Sequence, residues 1–581
     1  MALLTKTTVM IAGEDYSSFR RLNLEQEIDA HHTLEIVYRM DVFDKDDSEI
    51  GAKSKNVLGQ TITIKVESLY DENNSFEFKG VIAEVKISKG DNTEAGNEVI
   101  LIAKSPTIRT DDGPHFNSFE EESLTDIVSD ALNAYNIDNT ISPRFSGTLE
   151  YCVQHNESCF QFVSRLAAQY GEWFYYNGER LIFGAPETEE TELKYNSDLI
   201  EYKINLLPQS QNFSYHSNDY NSTKVLKAKS KPHNSGGAFS GVVTNVSKDL
   251  FGIPTEVWNN NNVTDGKEIL KAKVKSQNEA SAIRQVKLTG SSDNPSVKLG
   301  NIVKIDGEGY RIIQVTHKTN RNGQYENHFE AITSASDAYP KTNIEAFPFS
   351  DSQIAKVIEN EDPEKLGRIR VAFPWQEEMG LKTPWLRIVS PHTGGNEQGF
   401  HFIPEVDDEV LVDFEGGNAE VPYVLGGLYN SKNKPLGDWA SPDNDIKAIQ
   451  TRSGHVIEFS DKKGDETITI KDKKGNSIIL DSKEGSITIN APDSLTLTSK
   501  DINITASNNL SIDVKNKMDI KAMEYKSEAK TNHSVKAGVK LDMKAVQFGV
   551  KGDASAKIEA PMVDIDGKAM TNIKGAIVNL N

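Results

Sequence analysis

The chain has 581 residues, a formal net charge of −22 and a hydrophobic share of 37 %. The length predicts several domains, and the modest apolar share predicts that part of the chain forms thin or elongated structure. Phosphate binding needs concentrated Lys and Arg, so so acidic a chain argues against nucleic acid, and equally against an anionic membrane surface.

The first segment, "MALLTKTTVMIAGEDYSSF", lacks a long apolar core and a small-residue cleavage site. It reads as a first strand and not as a signal peptide. No window approaches the run of about 18 apolar residues that a spanning helix needs. "TITIKVES" (61–68), "FEFKGVIAEVKISKG" (76–90) and "NEVILIAKS" (97–105) alternate apolar and polar residues, which predicts antiparallel sheet curling into barrels or sandwiches. Ser123 followed by Asp126 caps a helix with Leu124, Ile127, Val128 and Leu132 on one face. Ser158 and Gln161 form a capping box for a second helix, and Gly171 stops it. Cys152 and Cys159, at the front of that helix, read as small buried residues. Arg165 and Glu172 flank it as ordinary surface or interface pairs. Asn177-Gly178 between aromatic runs predicts a hairpin. "HNSGGAFSG" (233–241) reads as a flexible loop. "SQNEASAIRQVKL" (276–288) reads as a third short helix capped by Ser276 and Glu279, and "NHFEAITS" (327–334) as a strand.

Near Phe349 the texture changes to short strands punctuated by Gly and Pro: "GRIRVAFPW", "TPWLRIVSP", "FIPEVDDEVLVDFEGG" and "PYVLGGLYN". Five strands in about 80 residues fit a small Greek-key barrel of the OB type. The stretch Phe402–Gly417 holds six carboxylates, Glu405, Asp407, Asp408, Glu409, Asp413 and Glu415. They do not follow the D-x-D-x-D-G calcium pattern. Val410, Val412 and Phe414 alternate with Leu411, Asp413 and Glu415, so the acids are the wet side and turn of a strand that Pro404 enters and Gly416-Gly417 ends. A contact between chains, with Arg368, Arg370 or Arg387 as partners, is the alternative. A linker (430–445) and hairpins turning at Lys463-Gly464 and Lys474-Gly475 follow.

From about Gly485 the chain repeats every seven or eight residues. The apolar pairs are Ile487/Ile489, Leu495/Leu497, Ile502/Ile504, Leu510/Ile512, Met518/Ile520, Leu541/Met543, Phe548/Val550 and Val563/Ile565, with Ile558 in a weaker unit; Glu524 to Lys540 is noisier. Each unit is one strand and one corner, with its apolar pair on one face. A single chain with that pattern encloses no core economically. Three identical chains can, as the sides of a triangular prism, with these residues inside. At ~4.8 Å per layer about twelve units make a rod of about 55–60 Å.

"EYCVQHNESCFQFVSRLAAQYGEWFYY" (150–176), "PEKLGRIRVAFPW" (363–375), "FIPEVDDEVLVDFEGGNAEVPYVLGGLYN" (402–430) and "TRSGHVIEFSD" (451–461) leading into the repeats together resemble the VgrG spikes of type VI secretion systems and the hub and spike proteins of contractile phage tails and phage-tail-like injection particles. Pro404, Glu405, Asp408, Glu409, Val410, Phe414 and Gly417 carry the OB signature. The resemblance implies a mainly β, multidomain chain: hub β-barrels over 1–345 with a helical insert at about 118–172, an OB fold over 346–430, neck hairpins over 431–480, and over 481–581 a needle of intertwined triple-stranded β-helix in a homotrimer. It implies a structural, membrane-puncturing spike seated on an Hcp-like inner tube hexamer. A PAAR-repeat tip protein would dock at Ile577, Val578, Asn579, Leu580 and Asn581. Effector cargo and baseplate proteins are further implied partners. Such a spike assembles in the bacterial cytoplasm, without a signal peptide, and is then delivered to the extracellular space or a target cell. Some relatives insert a lysozyme between OB fold and needle, or extend past the needle as a toxin. Here only a linker fills the first place and the chain stops after the repeats. No enzyme, catalytic residue, metal or cofactor is therefore expected. HExxH, P-loop and GxSxG patterns are absent, and His392 with His401 read as loop residues. A spike-associated cell-wall hydrolase and a trimeric receptor-binding fibre are the alternatives.

Overall fold

A computed structural model describes residues 5–43, 51, 53–71, 73–89, 97–219, 224–258 and 266–580. It divides into two compact units, Met1–Asn490 and Ala491–Asn581. The first is mainly β structure in several sheets.

Its hub half is built on one 13-stranded sheet. Strands Thr33–Arg39, Glu98–Lys104, Ser75–Ser88, Thr61–Ser68 and Thr5–Ile11 pair in that order as one antiparallel half. Strands Leu199–Leu206, Val286–Ser292, Tyr325–Thr333 and Glu308–Asn320 form the other. The halves join where Glu308–Asn320 pairs with Arg21–Glu27, from Gln314 opposite Glu27 to Asn320 opposite Arg21. Alternating residues of both halves, among them Val9, Leu24, Ile36, Phe78, Leu288, Ile312 and Phe329, share one apolar core. The strand alternation read from the sequence therefore builds one continuous sheet.

Helices α1 (Leu124–Asn133) and α2 (Cys159–Tyr170) begin as their caps predict. Ser123 Oγ accepts from the Asp126 amide. Ser158 and Gln161 exchange both capping-box bonds, and Gly171 ends α2 with a left-handed φ of 72° that only glycine adopts cheaply. Cys152 and Cys159 are free and buried. Strands Trp173–Tyr176 and Leu181–Gly184 form the hairpin predicted around Asn177-Gly178, with a loop of four residues.

The helix expected at 276–288 is displaced. α4 runs from Gly266 to Ile283, so Ser276 lies in its interior and caps nothing, and 286–292 is a strand. The stretch read as a flexible loop leads into a further helix, α3 (Ser240–Leu250). α4 packs through Leu270 and Val274 against the small sheet of Phe213–Asp219, Lys224–Lys229 and Thr255–Trp258.

The OB-type domain pairs Arg370–Ala372, Gln353–Glu359, Glu409–Phe414 and Pro422–Gly427 in one sheet, with α5 (Pro374–Met379) beside it. The fifth segment read from sequence joins only by isolated bridges, Ile369 to Leu386 and Ile388 to Val424.

Candidate functional site

Three features stand out: two exposed apolar surfaces and one buried junction. The first is a five-stranded antiparallel meander: Ile446–Gln450, Val456–Ser460, Thr467–Lys471, Ser477–Asp481 and Ser486–Asn490. Gly464 and Gly475, both at positive φ, sit in its turns as the sequence predicts. Ile487 and Ile489, read as the first needle pair, are in its last strand. Ile449, Ile457, Ile470, Ile478 and Ile489 stand opposite one another across all five strands. Lys447, Phe459, Ile468, Leu480 and Ile487 form a parallel row. Residues two apart on a strand share a face, so the two rows make one continuous apolar face. Its nine large apolar side chains are all at least 37 % exposed. The opposite face is mainly polar, and Trp439 Nε1 donates to Glu458 Oε2 across it at 3.2 Å. A monomer that leaves such a face in water exposes one large contiguous apolar patch, the signature of an interface.

The second surface is the unit 491–580. It consists of extended segments separated by bends at 492–493, 500, 507–508, 515–516, 523–524, 530–531, 538–539, 546–547, 553–554, 561, 568–569 and 576–577. The seven-or-eight-residue beat thus runs unbroken through the stretch that looks noisy in the sequence. The described residues here form no strand ladder within the chain, and every one after Ala491 is exposed. Leu495, Leu497, Ile502, Ile504, Leu510, Ile512, Met518, Ile520, Leu541, Met543, Phe548, Val550, Ile558, Val563 and Ile565 all lie between bends. Met523 and Val539, inside bends, are more than 100 % exposed, whereas Tyr525 and Val535 are 68 % and 60 % exposed, like the apolar pairs. Tyr525 and Ser527, and His533 and Val535, lie in the segments between those bends, as the apolar pairs do. Ile577 lies in the last bend, Val578, Asn579 and Leu580 follow it, and Asn581 is outside the described residues.

The third feature is the junction of hub and OB domain. Tyr151 and Val153, on the hub strand Thr148–Glu157, are members of the OB core with Val357, Val371, Val410, Val412, Phe414 and Val424. Gln376, fully buried on α5, donates to Ser118 Oγ at 2.8 Å and Tyr151 Oη at 3.0 Å. Arg370 bonds Glu120. Arg165, read from the sequence as part of an ordinary surface or interface pair, is buried and pinned by Glu157 (2.7 Å), the Val153 carbonyl (2.6 Å) and Glu420 (3.3 Å). Its planar fork makes several directed bonds at once, which lysine does not. Lys273 of α4 lies 4.6 Å from the Tyr170 ring centre. Burial pushes Lys273 down to about 8, against the pull of Glu420. Glu172 is also buried; it accepts from the amides of Arg144 and Phe145 at 3.0 and 2.9 Å.

The carboxylates of 402–417 disperse. Asp407 pairs with Lys356 (3.0 Å), Glu405 with Arg452 (2.7 Å) and Glu415 with Arg387 (3.4 Å). Asp408 accepts from the Glu405 amide, closing the turn after Pro404. Asp413 accepts from Ser352 and Tyr423. Glu409 is half-buried on the strand, Val410 and Phe414 point into the core, and Gly416 and Gly417 take positive φ. Gly417 lies so close to Phe349 that a Cβ there would meet the ring at 2.6 Å. In "PEKLGRIRVAFPW" the signal is Asp362, just before the motif. Its carboxylate accepts from the amides of Glu364, Leu366 and Arg368 and from the Arg368 fork at 2.9 and 3.0 Å. These bonds hold it well below the usual carboxylate range.

One polar device crosses the hub seam. Gln26 donates to His32 Nδ1 and accepts from His317 Nε2, both at 3.1 Å, and Tyr325 Oη lies 2.6 Å from His317 Nδ1. The pattern is satisfied by two neutral imidazoles, and burial pushes both down to about 3. Among the described residues no three His, Cys, Asp or Glu gather as a metal site, and no helix is long and apolar enough to cross a membrane.

Residues 31–325 match the family described as phage tail baseplate hub, and residues 353–429 the type VI secretion system/phage-baseplate injector OB domain. The type VI secretion system spike protein VgrG1b of Pseudomonas aeruginosa is 23 % identical over 480 residues, covering 74 % of this chain and 62 % of that protein. The actin cross-linking toxin VgrG1 of Vibrio cholerae is 24 % identical over 406 residues, 61 % of this chain and 36 % of that protein. The chain thus spans less than two thirds of either relative. Among solved structures, the half-lidded Francisella PdpA–VgrG complex superposes with a TM-score of 0.53 at 11 % identity over 84 % of this chain and 88 % of that one.

Proposed function

Because the chain belongs to the phage tail baseplate hub family, in the branch of the VgrG spikes, we propose that it is the homotrimeric spike of a contractile injection machine and acts by shape and rigidity. The observation that carries the proposal is the apolar face of 446–490. Three copies of that sheet, faces inward, close a triangular prism and remove nine large side chains per chain from water. At ~25 cal/mol per Å2 of apolar surface such burial strongly favours assembly.

Beyond Asn490 the pairing changes mode. Up to there each chain supplies whole sheet faces from its own strands. From 491 onward its strands pair with none of its own, so in the trimer they interleave with those of the two other chains. Backbone amides and carbonyls then find partners across chains, and strand edges are consumed. Relatives named as spike proteins support the structural role.

In this reading the hub seats on a hexameric inner tube. A PAAR-type tip covers Ile577 to Asn581, and effector cargo or baseplate proteins complete the assembly. The spike is assembled in the bacterial cytoplasm and driven outward through the target membrane. No turnover is required of it.

The test is mass photometry of the purified chain. A species three times the chain mass, resistant to denaturant, is expected; a stable monomer overturns the proposal. Capture of a PAAR-repeat protein by the full chain, lost on deletion of 573–581, tests the tip. Capture that survives this deletion contradicts it.

A further inference from the structure

Helix α3 is amphipathic the wrong way round for a lone subunit. Of its large apolar residues only Val243 is buried, whereas Val242, Val246 and Leu250 are exposed, and Phe251 and Ile253 continue the exposed stripe. Spacings of four residues put Val242, Val246 and Leu250 on one face. α1 and α2 do the opposite: Leu124, Ile127, Val128 and Leu132, and Phe162, Val163, Leu166 and Ala167, are buried.

The inward face of α3 is held by hydrogen bonds. Gln285, fully buried, donates to Ser247 Oγ at 2.9 Å and accepts from Thr244 Oγ1 at 3.2 Å. The Gln209 amide donates to Ser247 Oγ at 3.2 Å, and Ser240 bonds Ser235 at 2.9 Å. Rolling the helix to hide its valines would leave Gln285 buried and unpaired, which is costly. The apolar stripe is therefore presented outward by design of its polar side.

The charge around it is also inverted. Residues 208–283 hold nine Lys against six Asp or Glu, a net of +3 in a chain of −22. The remainder therefore carries −25. A basic, apolar-faced segment complements that acidic remainder, and a trimer offers the remainder of a neighbouring copy, tethered at an effective concentration that for linked modules reaches the order of millimolar. We infer that α3, with Phe251 and Ile253, is the clasp by which each subunit grips the acidic surface of the next copy of this chain. The inference rests on the trimeric reading proposed above. Docking buries an apolar patch on the order of a few hundred Å2 and brings exposed lysines of 208–283, Lys248 of α3 among them, against acids, which offsets part of the repulsion among three acidic chains.

The test uses the full-length purified protein with a photo-crosslinking benzoylphenylalanine in place of Leu250. Mass photometry is run on the same sample. The expected result is a trimer whose irradiation links position 250 to a second chain at a site outside 208–283. A trimer that yields only intrachain products, or links 208–283 of one chain to 208–283 of another, overturns the clasp and leaves the trimer standing. A monomer overturns both. In parallel, the double variant V246S/L250S should lower the melting temperature of the trimer without changing its far-UV spectrum. An unchanged melting profile counts against the clasp.

Discussion

Arg165 of the hub and Glu420 of the OB domain, 255 residues apart in sequence, form a buried ion pair at 3.3 Å. Glu420 also faces the Val153 amide at 3.4 Å and supports the charge of Lys273. The pair joins two domains whose cores already interpenetrate through Tyr151 and Val153. Breaking a buried pair by removing one partner costs about 3 kcal/mol. Glu420→Ala is expected to lower the stability of the hub–OB transition by roughly that amount, and Glu420→Gln by less. Urea unfolding followed by tryptophan fluorescence measures it; a change below about 0.5 kcal/mol would show that Glu157 alone satisfies Arg165.

The two faces of the 446–490 sheet make opposite predictions. Ile470→Asp puts a carboxylate on the apolar row between Ile457 and Ile478. In the prism three such charges would be buried without partners, at several kcal/mol each. The trimer is expected to dissociate, read by mass photometry. Thr469→Asp, on the other face, is expected to leave it intact. Equal behaviour of the two variants would contradict the prism.

In the trimer proposed above, His533 stands with Val535 between the bends at 531 and 538, where other units of 491–580 carry an apolar pair. A polar ring inside the needle costs desolvation that an aliphatic side chain does not. His533→Val is expected to raise the melting temperature of the stalk, and Ser534→Val, on the other face, to leave it unchanged. A lower melting temperature for His533→Val would place His533 outside the core or give it a partner there.

The seam of His32 and His317 predicts a pH dependence. Both imidazoles titrate lower in the fold, about 3, than free histidine near 6.5. A group whose folded value is depressed stabilises fully above its unfolded value and loses that stability as pH falls toward the folded value. Hub stability is therefore expected to decline as pH falls from about 6.5 toward 3, by up to about 1.4 kcal/mol per pH unit for each histidine. His317→Gln should flatten the slope by one histidine's share in a pH series of urea midpoints. An unchanged slope would mean that carboxylates elsewhere dominate.

Where structure follows from neighbours in sequence, the sequence determined it. Ser158, Gln161 and Gly171 fix α2 because a capping box and a left-handed glycine are short-range devices. The Val410–Phe414 alternation fixes its strand because the side-chain period is two. The repeat after Gly485 fixes a beat of seven or eight residues, which the bends keep even through 524–540, where composition blurs the pattern. Tertiary structure decided what depends on partners far along the chain. Arg165 reads as a surface or interface residue without a named partner until Glu420 arrives from another domain. Ser276 reads as a cap until α4 is seen to start at Gly266. α3 is hidden in a run of β-branched residues, and its outward apolar face follows from Gln285, which local periodicity does not reveal. A hydrophobic pattern says which side chains seek cover; only the fold says which of them found it inside the chain and which still present themselves to another.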